Sequence, residues 1–131
     1  MDMTIRFPGG EKVDADYNGF TMSTDQPIEN GGGGTAPEPF SLFLASMGTC
    51  IGIYVLRFCQ ERNIPTTELS MTLRFERNTD TQLISQIPIN IYLPKEFPKK
   101  YHSALLKAAN LCAVKKHLDQ PPTIDMNIIQ E

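Results

Sequence analysis

The chain has 131 residues and a net charge of −3, with ten prolines, nine glycines and three cysteines. That length suits one domain, residues 1–131, with a core of its own. The acidic balance argues against nucleic acid, which needs a concentrated basic surface, and three cysteines do not make a secreted disulfide framework.

The N-terminus, MDMTIRFPGG, is polar and strand-like rather than a leader, so a reducing cytoplasm is the expected compartment. Met3, Ile5 and Phe7 alternate with polar residues up to the Pro8-Gly9-Gly10 turn. Val13, Ala15 and Tyr17 alternate again up to Asn18-Gly19, and Phe20 to Ser23 gives a third short strand. Period-2 runs joined by such turns predict a meander. Four glycines, Gly31 to Gly34, read as a flexible loop. They lack the Lys-Ser/Thr pair of a phosphate loop, because Thr35-Ala36-Pro37 follows.

From Pro39 to Leu56 the chain carries no charge, and a long helix is expected from Thr35–Pro39 to about Asn63, ahead of Pro65. Its length reaches the lower edge of a membrane span, ~17–25 residues. Ser41, Ser46, Gly48, Thr49 and Gly52 favour a buried helix of a soluble protein instead. A small domain rarely surrounds such a helix, so a partner subunit is expected over part of it, and no membrane. Strand alternation returns at Leu69, Met71, Leu73 and Phe75, and at Ile87, Ile89, Ile91 and Leu93, where Pro88 indicates an edge or a bulge. A helix is expected from Pro98 to about Asn110, then a short helical turn through His117, and a last strand over 123–129. Lys99-Lys100 and Lys115-Lys116 read as solvated helix faces. The order of elements gives an α+β fold with helices on antiparallel sheet.

Cys50 lies in the apolar run and is either an inert core residue or a reactive thiol whose charge the site supports. If Cys50 and Cys59 share one helix, about 13.5 Å of axial rise separates them, beyond the ~7 Å a disulfide tolerates. Cys59 therefore reads as a small buried hydrophobe, and any partner of Cys50 is expected to be Cys112, brought near by tertiary folding. Helical spacing puts Phe43, Met47, Tyr54 and Arg57 near the face of Cys50. Core packing is the default reading of the first three. His102, His117 and the cysteines lack metal-ligand spacing, so no metal is expected.

The stretch Pro39-Phe40-Ser41-Leu42-Phe43-Leu44-Ala45-Ser46-Met47-Gly48-Thr49-Cys50 resembles the core helix motif of the OsmC/Ohr proteins, the osmotically induced and organic hydroperoxide resistance family. The glycine-rich loop before it, and Cys112 after an Ala- and Leu-containing helix, extend the resemblance over the whole chain. The resemblance implies an intertwined homodimer with antiparallel sheets packed on long buried central helices. It implies Cys50 as peroxidatic and Cys112 as resolving cysteine of an organic hydroperoxide reductase active in oxidative stress. Phe40, Phe43, Met47 and Tyr54 would form an apolar substrate surface, an external thiol or dithiol would be the reductant, and no cofactor would be needed. Where family members typically carry a glutamate after the motif proline, this chain has Phe40 and Ser41. Glu38 stands before the proline, and the nearest candidate cations are Arg6 and Lys12. Cys50 also lies too deep in its own helix for that N-terminus to lower its pKa. The alternative is therefore a non-enzymatic or differently specialised dimer that binds a small apolar ligand in the same cleft.

Overall fold

Three short antiparallel strands open the chain. In this computed structural model, which describes residues 2–130, β1 (Thr4–Gly9), β2 (Lys12–Tyr17) and β3 (Phe20–Thr24) form the meander that the alternation predicts, in the order β1-β2-β3. Asn18 and Gly19 both have positive φ, 52° and 80°. That is the geometry of a two-residue hairpin turn matched to strand twist. The register pairs Ala15 with both Ile5 and Met22, and slips by a bulge between Arg6 and Gly9.

The chain divides into two compact units, residues 1–46 and 47–131. The first holds the meander, a single 3-10 turn at Ile28–Asn30, the glycine loop and the opening turns of a 23-residue helix, α1 (Pro39–Glu61). The glycine loop is hydrogen-bonded throughout rather than flexible. Gly32 N–H donates to Pro27 O and Gly34 N–H to Gln26 O. A side chain on Gly32 would meet the Gln26 carbonyl oxygen at 2.0 Å. Glycine here permits close backbone packing, not motion.

In the second unit α1 ends at Glu61, and Asn63 adopts a left-handed conformation ahead of Pro65. The Arg62 guanidinium lies 3.6 Å from the centre of the Phe58 ring and donates to Phe58 O, closing the last turn. β4 (Ser70–Leu73) pairs with β7 (Ile89–Tyr92), and β5 (Glu76–Arg77) pairs with β6 (Ile84–Gln86), all antiparallel. Pro88 interrupts what the alternation presents as one strand: it separates β6 from β7, and its carbonyl accepts the Arg74 N–H. After a 3-10 turn at Lys99–Tyr101 come α2 (His102–Ala109) and α3 (Ala113–Asp119). The core joins Met47, Ile51, Val55, Phe58 and Cys59 of α1 to Phe97, Leu105, Ala109 and Cys112. Met71, Leu73, Ile89 and Ile91 pack against it. Positions 47, 51, 55 and 58 form one stripe of a helix.

Two further expectations differ from the structure. The strand over 123–129 does not form, and residues 121–130 pair with no strand among the described residues. A strand needs a facing edge to satisfy its backbone, and residues 121–130 lie against none. α1 is also not buried all round: Phe40, Phe43 and Ile53 are exposed, because one small chain has apolar surface enough for only one of its faces. The helix remains long and apolar enough to cross a membrane by length and composition alone.

Candidate thiol site at the α2–α3 corner

Cys50 sits in the fourth turn of α1, half-buried and packed against the core. Its sulfur meets the start of α3. The backbone N–H groups of Val114 and Ala113 are directed at it, as is the Cys112 thiol. Cys112 is the residue before α3, has no solvent exposure, and its Sγ accepts the Lys115 N–H at 3.4 Å. The first three N–H groups of a helix have no intrahelical acceptor. Here all three, from Ala113, Val114 and Lys115, turn toward two sulfur atoms.

This arrangement separates the two thiols electrostatically. The Cys50 thiol is held below its ordinary pKa chiefly by the Val114 N–H. Burial opposes this, and the Cys112 thiol and the Ala113 N–H add to it. Cys112 moves the other way: burial pushes it up and the neighbouring Cys50 sulfur pushes it further, against the Lys115 and Val114 N–H groups. Of the two thiols Cys50 is therefore the one that gives up its proton first, and Cys112 the one that keeps it longer. The expectation that the Cys50 pKa does not fall considered a nearby cation and the N-terminus of its own helix. A different helix supplies the donors. A thiolate so placed can act as a nucleophile, with a second, protonated thiol beside it.

The signal for Ala113 and Val114 was present but indirect: Cys112 immediately precedes the short helical pattern, in the N-cap position. Cysteine is not among the usual cap residues, so the position did not stand out.

The other expected site residues divide by place. Met47 is buried in the core and Tyr54 is half-buried, both in the second unit. Phe40 and Phe43 lie in the first unit, exposed, with rings stacked at 5.5 Å between centroids. Cys59 is fully buried, and burial raises its pKa, in keeping with a packing role. Arg6 pairs with Asp16 and Asp14 inside its own sheet, which occupies its charge there. Sequence reasoning did not single out Asp25. It is buried at the edge of the glycine loop, where it accepts from Thr35 N–H and Oγ1 and from Gln26 N–H. Those bonds, the Thr35 hydroxyl first, hold its carboxyl down at about 2.

Comparison with known proteins places the chain in a family. The family described as OsmC-like protein matches residues 31–127, from the glycine loop through Cys50 and Cys112. No protein of curated function matches the chain. Among solved structures, the fold resembles a protein assigned to osmotic stress and detoxification response in Psychrobacter arcticus, with a TM-score of 0.71 and 21% identity. That match covers 87% of this chain and 85% of the other. An OsmC-like protein from Mycoplasma pneumoniae gives 0.70 at 14% identity, over 92% and 87% of the two chains. An organic hydroperoxide resistance protein from Legionella pneumophila gives 0.54 at 18% identity, over 90% and 89%. With three quarters of its length matched, the chain belongs to the OsmC-like protein family.

Proposed function

We propose that the protein is a thiol-dependent peroxidase that reduces organic hydroperoxides, with Cys50 as peroxidatic and Cys112 as resolving cysteine. The observation that carries this reading is the pairing of a Cys50 sulfur facing backbone N–H donors with a buried Cys112 thiol whose pKa is raised. The Cys50 thiolate attacks the terminal oxygen of R–OOH and the O–O bond breaks. The departing alkoxide takes up a proton to become R–OH, and Cys50 becomes a sulfenic acid. The Cys112 sulfur then attacks Cys50, water leaves, and a disulfide forms. Two electrons pass from the thiols to the peroxide. An external thiol or dithiol returns the pair to the reduced state, and the chemistry draws on no further cofactor. Tyr54, half-buried in the second unit with Cys50, supplies apolar surface for a hydrophobic peroxide. The working form is a cytoplasmic homodimer, in which a second chain covers apolar residues exposed in one chain.

The test is stoichiometric. Reduced protein is mixed with one equivalent of cumene hydroperoxide, free thiols are counted over time, and the oxidised peptides are mapped. Fast loss of two thiols as a Cys50–Cys112 link is the expected result. Slow, unselective loss overturns it.

A second reading has its own observation. The exposed Phe40–Phe43 ring stack occupies the stretch where this chain departs from the family glutamate. An OsmC-like dimer that binds a small apolar ligand would use those rings without thiol chemistry. Saturable binding of an apolar fluorophore, with Cys50 inert to iodoacetamide at pH 7, would favour it.

A further inference from the structure

α3 is seven residues long and has no fully buried side chain. Isolated helices below ~12–15 residues are marginal in water, so bonds at its ends carry much of its order. At the C-terminal end Gln120 N–H donates to Lys116 O. At the N-terminal end the Lys115 N–H donates to Cys112 Sγ, while the Ala113 and Val114 N–H groups face Cys50. One side-chain bond spans the corner: Lys115 Nζ donates to Asn110 Oδ1 at 2.7 Å, and Asn110 Nδ2 donates back to Leu106 O in α2. The pin is exposed, and exposed contacts of this kind contribute little. The redox-active atoms of the proposed reaction are thus also the cap of α3.

We propose that oxidation of Cys50 and Cys112 to a disulfide releases the first turn of α3, so that α3 and the segment leaving it lose order when the site is oxidised and regain it on reduction. The inference rests on the two-cysteine reading above. In the reduced protein the Cys50 sulfur faces the Ala113 and Val114 N–H groups, and Cys112 Sγ accepts the Lys115 N–H. Joining the sulfurs leaves Cys50 no thiol to ionise beneath those N–H groups, and Cys112 Sγ must turn from the Lys115 N–H toward Cys50 to form the bond. Three helix donors lose their acceptors together, and a short helix with one partly buried apolar side chain, Val114, has little else to hold it. The peroxide supplies the oxidising equivalents and leaves as alcohol and water. The external thiol reverses the change. α3 leads directly into the unpaired apolar residues Ile124, Met126 and Ile128, so the redox state of the site reaches a surface suited to contact with another chain.

The test is amide hydrogen exchange read by mass spectrometry on the full-length protein, reduced and after oxidation with diamide. Diamide makes the disulfide without a peroxide. Loss of a cap corresponds to roughly a tenfold change in local opening. Amides of 113–119 should therefore exchange about tenfold faster in the oxidised form, with those of β1–β3 and α2 unchanged. Equal or slower exchange at 113–119, with the Cys50–Cys112 link verified by peptide mapping, overturns the proposal, as does failure of diamide to form that link. Two variants support the reading from the reduced side. Cys112→Ala should show the fast exchange without any oxidant. Cys112→Ser, whose hydroxyl still caps, should stay protected with or without diamide. Protection of Cys112→Ala equal to that of the unaltered chain would also overturn it. If diamide loosens α3 while organic peroxides are not consumed, the peroxidase reading fails and the helix release stands.

Discussion

At the scale of the residue, the site depends on two thiols of one chemistry in opposite electrostatic settings. Cys50→Ser should abolish turnover of cumene hydroperoxide, because a serine hydroxyl is not ionised by a few amide donors. Cys112→Ser should still consume one equivalent of peroxide and then stop, with the Cys50 sulfenic acid trapped by dimedone. Consumption by Cys50→Ser equal to the unaltered protein would sink the assignment. The pH profile tests the pKa of Cys50 directly. The thiolate is the reactive form and its pKa is lowered by the Val114 N–H above all. The rate of the first step should therefore rise with pH and level off with a midpoint below the ~8.5 of an ordinary thiol. A midpoint at or above that value would show that the amide donors do not stabilise the charge. Cys50 stood out in the sequence from the uncharged run around it, and Cys112 chiefly through the resemblance to the family. The donors were legible only indirectly, through the place of Cys112 ahead of a short helical pattern, since Ala113 and Val114 act through their backbone and their side chains carry no sign of it.

At the scale of the element, the glycine loop shows how composition alone misleads. Four consecutive glycines read as freedom, yet the loop is tied by backbone bonds and by the Asp25 carboxylate. Gly32→Ala would drive a methyl group into the Gln26 carbonyl, an overpacking of the kind that costs about 1–3 kcal/mol. Chemical denaturation should show the loss, and unchanged stability would mean the loop adapts freely. Asp25→Asn should lower the melting temperature at pH 7 by several degrees, because an amide nitrogen cannot accept the Thr35 or Gln26 donors that the second oxygen takes now. The carboxyl is lowered from 3.8 to about 2 in the folded protein. Its contribution is therefore complete above pH ~4 and is lost as pH falls through about 2. The variant should lack that part of the acid dependence, which melting curves between pH 2 and 7 would detect. The meander was legible because its period and its Asn18-Gly19 turn agree. The tie between Asp25 and Thr35 was not, because ten residues with no periodic pattern separate them.

At the scale of the whole molecule, the unpaired C-terminal segment gives the strongest argument for a second chain. Ile124, Met126 and Ile128 are 78, 92 and 96% exposed, at the alternate spacing of a strand. The alternation was readable in the sequence and predicted a strand, but a period does not say which chain provides the facing edge. Strand β1 independently exposes Ile5 and Phe7, with Met3 exposed just before it. Apolar patterns of this extent mark contact surfaces or aggregation sites. In the homodimer proposed above, light scattering should give twice the 14.7 kDa chain mass at micromolar concentration. Placing two carboxylates in the segment, Met126→Asp with Ile128→Asp, should shift that equilibrium toward the monomer, because burying an unpaired charge is far less favourable than burying a thioether or an isobutyl-sized side chain. The Cys50 and Cys112 sulfurs belong to the second unit of a single chain, so the two effects can be read apart. A monomeric variant that still forms the Cys50–Cys112 link under diamide would place the thiol pair within one chain. Loss of peroxide turnover in that same variant would assign the substrate surface to the dimer. An unaltered protein that scatters as a monomer would remove the second chain from the mechanism and leave the exposed strand pattern to a different partner.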